Sequence, residues 1–204
     1  MTLEAKKITF WYRGKKKKPV LSNFDLTLSS GEWVGLKAPS GRGKTTLCRI
    51  LAGYERPQKG TVLLDGSPLR KAAGTYRGAC PVQMVWQHPE TAVDPLLRLG
   101  TTLCEAGMPD RRLLERLHIE EGWLERFPAE LSGGELQRFC LARALRPETE
   151  FLLCDEISSM LDLATQAQIW HFLLEEAEAR GMGVLIISHD DALLDHLCTR
   201  IVTI

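Results

Sequence analysis

What this chain lacks narrows its class first. It has no excess of either charge: 26 Lys+Arg stand against 26 Asp+Glu, a formal net charge of zero over 204 residues. A surface of balanced sign is a poor match for a protein that coats nucleic acid or anionic lipid over its whole face, so no nucleic-acid partner is expected. No apolar run approaches the roughly 18–20 residues that span a bilayer. The first residues, Met-Thr-Leu-Glu-Ala-Lys-Lys, hold none of the apolar stretch of a secretion signal. The six cysteines (Cys48, Cys80, Cys104, Cys140, Cys154 and Cys198) never fall at C-x-x-C spacing. That removes the usual zinc and redox frameworks and leaves reduced thiols in a cytoplasmic protein as the expectation. With 44% hydrophobic and 25% charged residues, the chain has the make-up of one globular domain with a sizeable core.

Short apolar runs alternate with longer helical patterns. Strands are expected at Leu3–Trp11, Val20–Leu28, Glu32–Ala38, Thr61–Leu64, Val82–Trp86, Phe151–Cys154 and Val184–Ile187. Helices are expected from Lys44 to Gly53 and over Gly133–Leu145, Leu163–Arg180 and Asp191–Leu197. Lys15 to Lys18 cannot bury together, so that stretch reads as a solvated loop. From Pro95 to about Phe127 the pattern is helical and more charged, with Pro109 and Pro128 as punctuation. It reads as a small lobe, about 95–128, inserted in an α/β body. Strands alternating with helices predict a mainly parallel sheet covered on both faces.

The turn after Ala38 carries the first chemistry. Pro39-Ser40-Gly41-Arg42-Gly43-Lys44-Thr45-Thr46 lies between a predicted strand and a predicted helix. Glycines there let backbone N–H groups converge on phosphate oxygens, and the helix start adds partial positive charge. Lys44 would bridge the outer phosphates and Thr45 would ligate Mg²⁺. The first Gly of the usual G-x-x-x-x-G-K-[ST] pattern is Ala38 here, which fits if its φ stays negative. Taken alone, the motif leaves kinase, GTPase and transport ATPase open.

A second motif, Leu131-Ser132-Gly133-Gly134-Glu135-Leu136-Gln137-Arg138, restricts the choice. Ser132 followed three residues later by Glu135 is a capping box. Gly133 and Gly134 therefore open a helix whose N–H groups suit a terminal phosphate. In this segment the sequence resembles the ATP-binding-cassette (ABC) ATPases, whose signature is L-S-G-G-x-x-x-R. The resemblance implies a P-loop NTPase with a mainly parallel sheet, an N-terminal antiparallel β portion and an inserted helical subdomain, spanning about Leu3 to Ile204.

Further matches follow in family order. Asp155, 23 residues after Ser132, resembles the carboxylate that holds Mg²⁺ through water. Glu156 resembles the general base that polarises the attacking water. Ser159-Met160-Leu161-Asp162 resembles the loop that meets a partner subunit, with Met160 in place of Ala. His189, 33 residues after Glu156, resembles the switch histidine on the γ-phosphate. Gln87 resembles the glutamine that senses Mg²⁺ and couples to the helical lobe. Tyr12 resembles the aromatic that stacks on adenine.

The resemblance implies ATP and Mg²⁺ as cofactors, and a head-to-tail pair of identical or homologous ATPase subunits. ATP would sit between the phosphate loop of one subunit and Ser132–Glu135 of the other. It also implies separate membrane permeases docked near Gln87 and the 95–128 lobe, a place on the inner face of the cell membrane, and a solute-binding protein if transport is inward. Val85-Trp86-Gln87-His88-Pro89-Glu90-Thr91-Ala92-Val93-Asp94-Pro95 is similar to a stretch of the peptide and nickel importer branch. The alternatives are an ABC-type ATPase with no transport role and a P-loop small-molecule kinase. The kinase leaves Ser132–Arg138 and His189 unexplained.

Overall fold

Four short, almost wholly apolar strands can be satisfied only between two apolar layers, and a fifth, mostly exposed strand joins them at the edge. They form the parallel sheet at the middle of the molecule. The computed structural model describes residues 1–12, 19–39, 41–69, 79–105 and 107–204. The lysine run at 15–18 and Ser40 of the phosphate loop lie outside the described residues.

The chain opens with β1 (Thr2–Phe10) and β2 (Leu21–Ser29), followed by β3 (Trp33–Lys37) and helix α1 (Lys44–Leu51). Next come β4 (Lys59–Leu64), β5 (Ser67–Pro68) and β6 (Val82–Val85). Two short helices, α2 (Leu99–Glu105) and α3 (Arg111–Arg116), precede α4 (Gly133–Ala144). The last part runs β7 (Phe151–Asp155), α5 (Leu163–Arg180), β8 (Gly183–Ile187), α6 (Asp191–Leu197) and β9 (Arg200–Thr203).

The strands make two sheets, one antiparallel in the order β2-β1-β4-β5 and one wholly parallel in the order β6-β7-β8-β3-β9. This is the α/β class with antiparallel N-terminal β structure expected from the sequence. Alternation along the parallel strands sends successive side chains to opposite faces. Phe151 and Leu153 join β1, β2 and α1 in one core; Leu152 and Cys154 join α4, α5 and α6 in the other.

Two features differ from the sequence reading. β9 was not foreseen, because Arg-Ile-Val-Thr is short and its residues are mostly exposed. It forms by adding to β3 from Val34↔Arg200 to Lys37↔Thr203. The helical stretch from Pro95 is broken into α2, α3 and a 3-10 turn at Glu121–Glu125. The break falls where Gly107 takes φ 84° and Asp110 caps the next helix, accepting from Arg112 N–H at 3.2 Å. These pieces pack on α4 through Leu99, Leu103, Leu117 and Trp123, the last 6.3 Å from the ring of Phe139. Among the described residues, no helix is long and apolar enough to cross a membrane.

Candidate active site

The site lies at the carboxyl ends of the parallel strands, where open α/β sheets bind their ligands. From β3 the chain passes Ala38 and Pro39 and turns at Gly41 (φ 77°) and Gly43 (φ 93°) into α1. Gly43 must be glycine: a Cβ there would lie 2.6 Å from Val20 Cγ1, in a backbone region L-residues avoid. No side chain caps α1 and no acid stands in its first turn, so the helix start keeps its orphan N–H groups and its positive dipole end. Pro39 offers its carbonyl to Arg42 N–H at 3.3 Å, which closes the turn. Ala38 is buried and is not among the positive-φ residues, so its methyl group fits without strain.

Lys44 is only 6% exposed. Its ammonium donates to the carbonyl of Ala38 at 2.8 Å and lies 3.3 Å from His189 Nε2 and 3.9 Å from Glu156 Oε1. His189 Nε2 is 3.0 Å from the same carboxylate oxygen. The amide of Gln87 donates to the other oxygen, Oε2, at 3.1 Å and to Ser159 Oγ at 3.4 Å. Glu156 is thus held from three sides. Its backbone is left-handed, with φ 50°. A conformation of that kind costs about 1–3 kcal/mol and persists where the surroundings impose it. Here the Glu156 N–H donates to Ile187 O at 3.1 Å, at the end of β8.

Asp155 ends β7 and is 2% exposed. Burial pushes its carboxyl above the ordinary aspartate value. The Thr45 hydroxyl, which donates to it, and the nearby cations Arg49 and Lys44 pull the other way, while Glu156 adds to the rise. Tyr12 follows β1. Its hydroxyl is 2.9 Å from Thr46 Oγ1 and its ring meets Phe10 edge-on at 5.0 Å. Tyr12, Gly41, Gly43, Lys44, Thr45, Thr46, Gln87, Glu156 and His189 line one open cleft of about 560 Å³.

The second predicted cluster stands apart. Ser132 caps α4 and accepts from Glu135 N–H at 3.3 Å, while Glu135 Oε2 accepts from Ser132 N–H at 2.7 Å. Hydrogen bonding from the backbone and side chain of Ser132 holds the Glu135 carboxyl below its usual range. Gly133 and Gly134 follow without side chains, and none of these four residues lines the cleft. Sequence reasoning did not single out Ser159 as a partner of Gln87, the Ala38 carbonyl as the seat of Lys44, or Arg49 beside Asp155. An arginine inside a helix carries no signal of its own, and the other two depend on folded geometry.

The cleft is fitted to a phosphate anion: an uncapped helix start and a buried lysine for the charge, with a carboxylate and a histidine opposite. The sequence model of the family described as "ABC transporter" matches residues 21–159. The chain belongs to this family. It is 40% identical to the nickel import ATP-binding protein NikE of Rhodospirillum rubrum over 203 residues, covering 92% of this chain and 73% of that protein. It is 38% identical to NikE of Escherichia coli K12 over 196 residues, covering 89% and 73%. Among solved structures, an ATP-binding subunit of an ABC transporter superposes with a TM-score of 0.82 at 25% identity, over 100% of this chain and 86% of that one. The dimeric bacterial ABC transporter cassette MJ0796 also gives 0.82 at 25% identity, over 99% and 94%. As an ABC protein the chain is an ATP-binding, ATP-hydrolysing subunit.

Proposed function

We propose that this chain is one of two ATPase subunits that drive an importer of nickel, or of related peptide and metal complexes, from the inner face of the cell membrane. The observation that carries the pairing is the separation just described. The cleft holds a phosphate loop, a carboxylate and a histidine, yet Ser132–Glu135 offers its helix start elsewhere. A second subunit placed head-to-tail supplies that helix start to the cleft and takes this one in exchange. The cargo follows from the NikE relatives and from the similarity of Val85–Pro95 to the peptide and nickel branch.

Tyr12 stacks on the adenine, while the loop from Pro39 to Thr46, Ser40 and Arg42 included, wraps the phosphates. Lys44 exchanges Glu156 for the anionic phosphate. Mg²⁺ fits the donors present: a buried carboxylate (Asp155), a hydroxyl bonded to it (Thr45) and an amide (Gln87) are the hard oxygen ligands this ion shares with water and phosphate. When bound, it neutralises charge on the phosphates. Glu156 orients and polarises the attacking water from its fixed position beside Gln87. His189 moves from Glu156 to the outer phosphate. Ser132, Gly133, Gly134 and Glu135 meet that phosphate in the partner's cleft. Residues 95–128 act as a helical subdomain, against which membrane permeases dock beside Gln87; a solute-binding protein delivers the cargo outside.

Two measurements test this. A tag on the chain should co-purify membrane subunits from solubilised membranes. Deleting the gene should abolish accumulation of radioactive nickel, which the intact chain and not Glu156→Gln restores. Undiminished uptake in the deletion strain would remove nickel as the cargo; recovery of the chain alone would remove the membrane partners.

A further inference from the structure

The loop between Glu156 and α5 is pinned from behind. Ile157 and Ser158 are buried directly after Glu156, and Trp170, twelve residues beyond Ser158, is buried on α5. The indole N–H of Trp170 donates to Ser158 Oγ at 3.1 Å. An indole nitrogen can only donate, and a polar group left unpaired inside a protein is costly. Ser158 therefore stays where that N–H points. Trp170 itself has little freedom. Ile169, Phe172 and Leu173 are buried on either side of it, and Asp162 caps the helix by accepting from Thr165 N–H at 3.0 Å.

The residue after Ser158 carries this constraint into the site. Ser159 Oγ donates to the carbonyl of Glu156 at 3.0 Å and accepts from the Gln87 amide. Two further bonds brace the loop. Leu161 N–H donates to the Ser158 carbonyl at 3.1 Å, and the Gln166 amide donates to the Leu161 carbonyl at 3.0 Å. Gln166 and Trp170 both belong to α5, so one helix holds the loop at two points. The Glu156 backbone is left-handed at φ 50°, a conformation that its surroundings must impose. Neither Trp170 nor Ser158 lines the cleft.

We propose that Trp170 is a positioning residue for Glu156. Its N–H clamps Ser158, and the clamped loop keeps Ser159 bonded to the Glu156 carbonyl. The carboxylate is thereby held among Gln87, Lys44 and His189. A tryptophan within a helix reads from sequence as core alone, whereas the folded chain also uses the polar edge of its ring. This inference rests on the reading of Glu156 as the base and deepens it, because the base then depends on a side chain outside the cleft.

Steady-state ATP turnover by the purified chain tests this. Trp170→Phe keeps a buried ring and removes the N–H, while Ser158→Ala removes the acceptor. Each should lower kcat about 10-fold, the scale of one hydrogen bond, with KM for ATP unchanged within about two-fold. The two substitutions together should lose no more than either alone, since both break one contact. Ser158→Thr, which keeps the hydroxyl, should stay within about two-fold of wild type. In a Glu156→Gln background, Trp170→Phe should change the residual turnover by less than about two-fold, because the carboxylate that it positions is gone. Unchanged kcat in either Trp170→Phe or Ser158→Ala overturns the proposal. A further loss of about 10-fold in the Glu156→Gln background also overturns it, as does a fall in kcat that tracks a fall in ATP binding, for Trp170 then supports the fold alone. Normal turnover in the Glu156→Gln single variant fails the reading of the base instead.

Discussion

Two helix starts in this chain are shaped for phosphate, and they are finished in opposite ways. α1 begins at a left-handed glycine with no cap and no acid, beside a buried lysine already engaged with Glu156 and His189. α4 begins with a reciprocal capping box and two glycines, exposed and satisfied within itself. The first is unstable without a counter-charge and has recruited one from its own chain. The second is stable by itself and can wait for a surface brought to it. The carboxylates carry the same contrast: burial raises Asp155, while hydrogen bonds lower Glu135. The half around Lys44 is tense and internally cross-linked; the half at Ser132–Glu135 is relaxed.

Breaking the tense half should cost most. Glu156→Gln removes the base and keeps the shape, so turnover should fall by about 10²–10⁴-fold with ATP binding retained; normal turnover would place the base elsewhere. At the relaxed half, Ser132→Arg should lower turnover by about 10²-fold, as loss of one preorganised donor does. ATP binding by the isolated chain, followed with a fluorescent analogue, should not change. A parallel loss of binding would mean that both helix starts serve one cleft within one chain.

Glycine replacement should then separate the two starts by sign. Gly43→Ala meets Val20 at 2.6 Å with φ 93° and should cost about 1–3 kcal/mol in urea unfolding. Gly133→Ala has open space and ordinary backbone, and should be neutral or stabilising by up to about 1 kcal/mol. The smallest effects are in the pH dependence of stability. Glu135 is lowered in the folded chain, so its contribution is present above the ordinary glutamate range and vanishes as pH falls through the lowered value. Glu135→Gln should therefore differ from wild type at neutral pH and converge with it in acid. Asp155 is raised, so its ionised form opposes folding and the penalty grows as pH rises through the raised value. Asp155→Asn should melt a few degrees higher at neutral pH and match wild type in acid, while losing Mg²⁺-dependent turnover.

The parallel strands were legible because a strand buried on both faces reads as an unbroken apolar run, as in Phe151–Cys154 and Val184–Ile187. The boundaries of α5 were equally plain, since Asp162 and Gly181 carry the capping chemistry for its two ends. β9 was not legible: it is mostly exposed and exists because β3 offers it an edge. The candidate site residues could be named from the family resemblance, but their mutual contacts could not. Gln87 reaches Glu156 across 69 positions of sequence and Lys44 reaches His189 across 145, separations at which no periodicity operates. Nor could any pattern show that the Glu156 backbone is left-handed, because a glutamate at a strand end is ordinary.

The salt contact between Lys44 and Glu156 has a consequence for timing. Lys44 and Glu156 are each other's counterions. On the proposed roles, a phosphate that pairs with Lys44 would leave the carboxylate free for water. One exchange of ionic partners would then both admit the substrate and arm the base, tying the start of hydrolysis to the presence of something to hydrolyse.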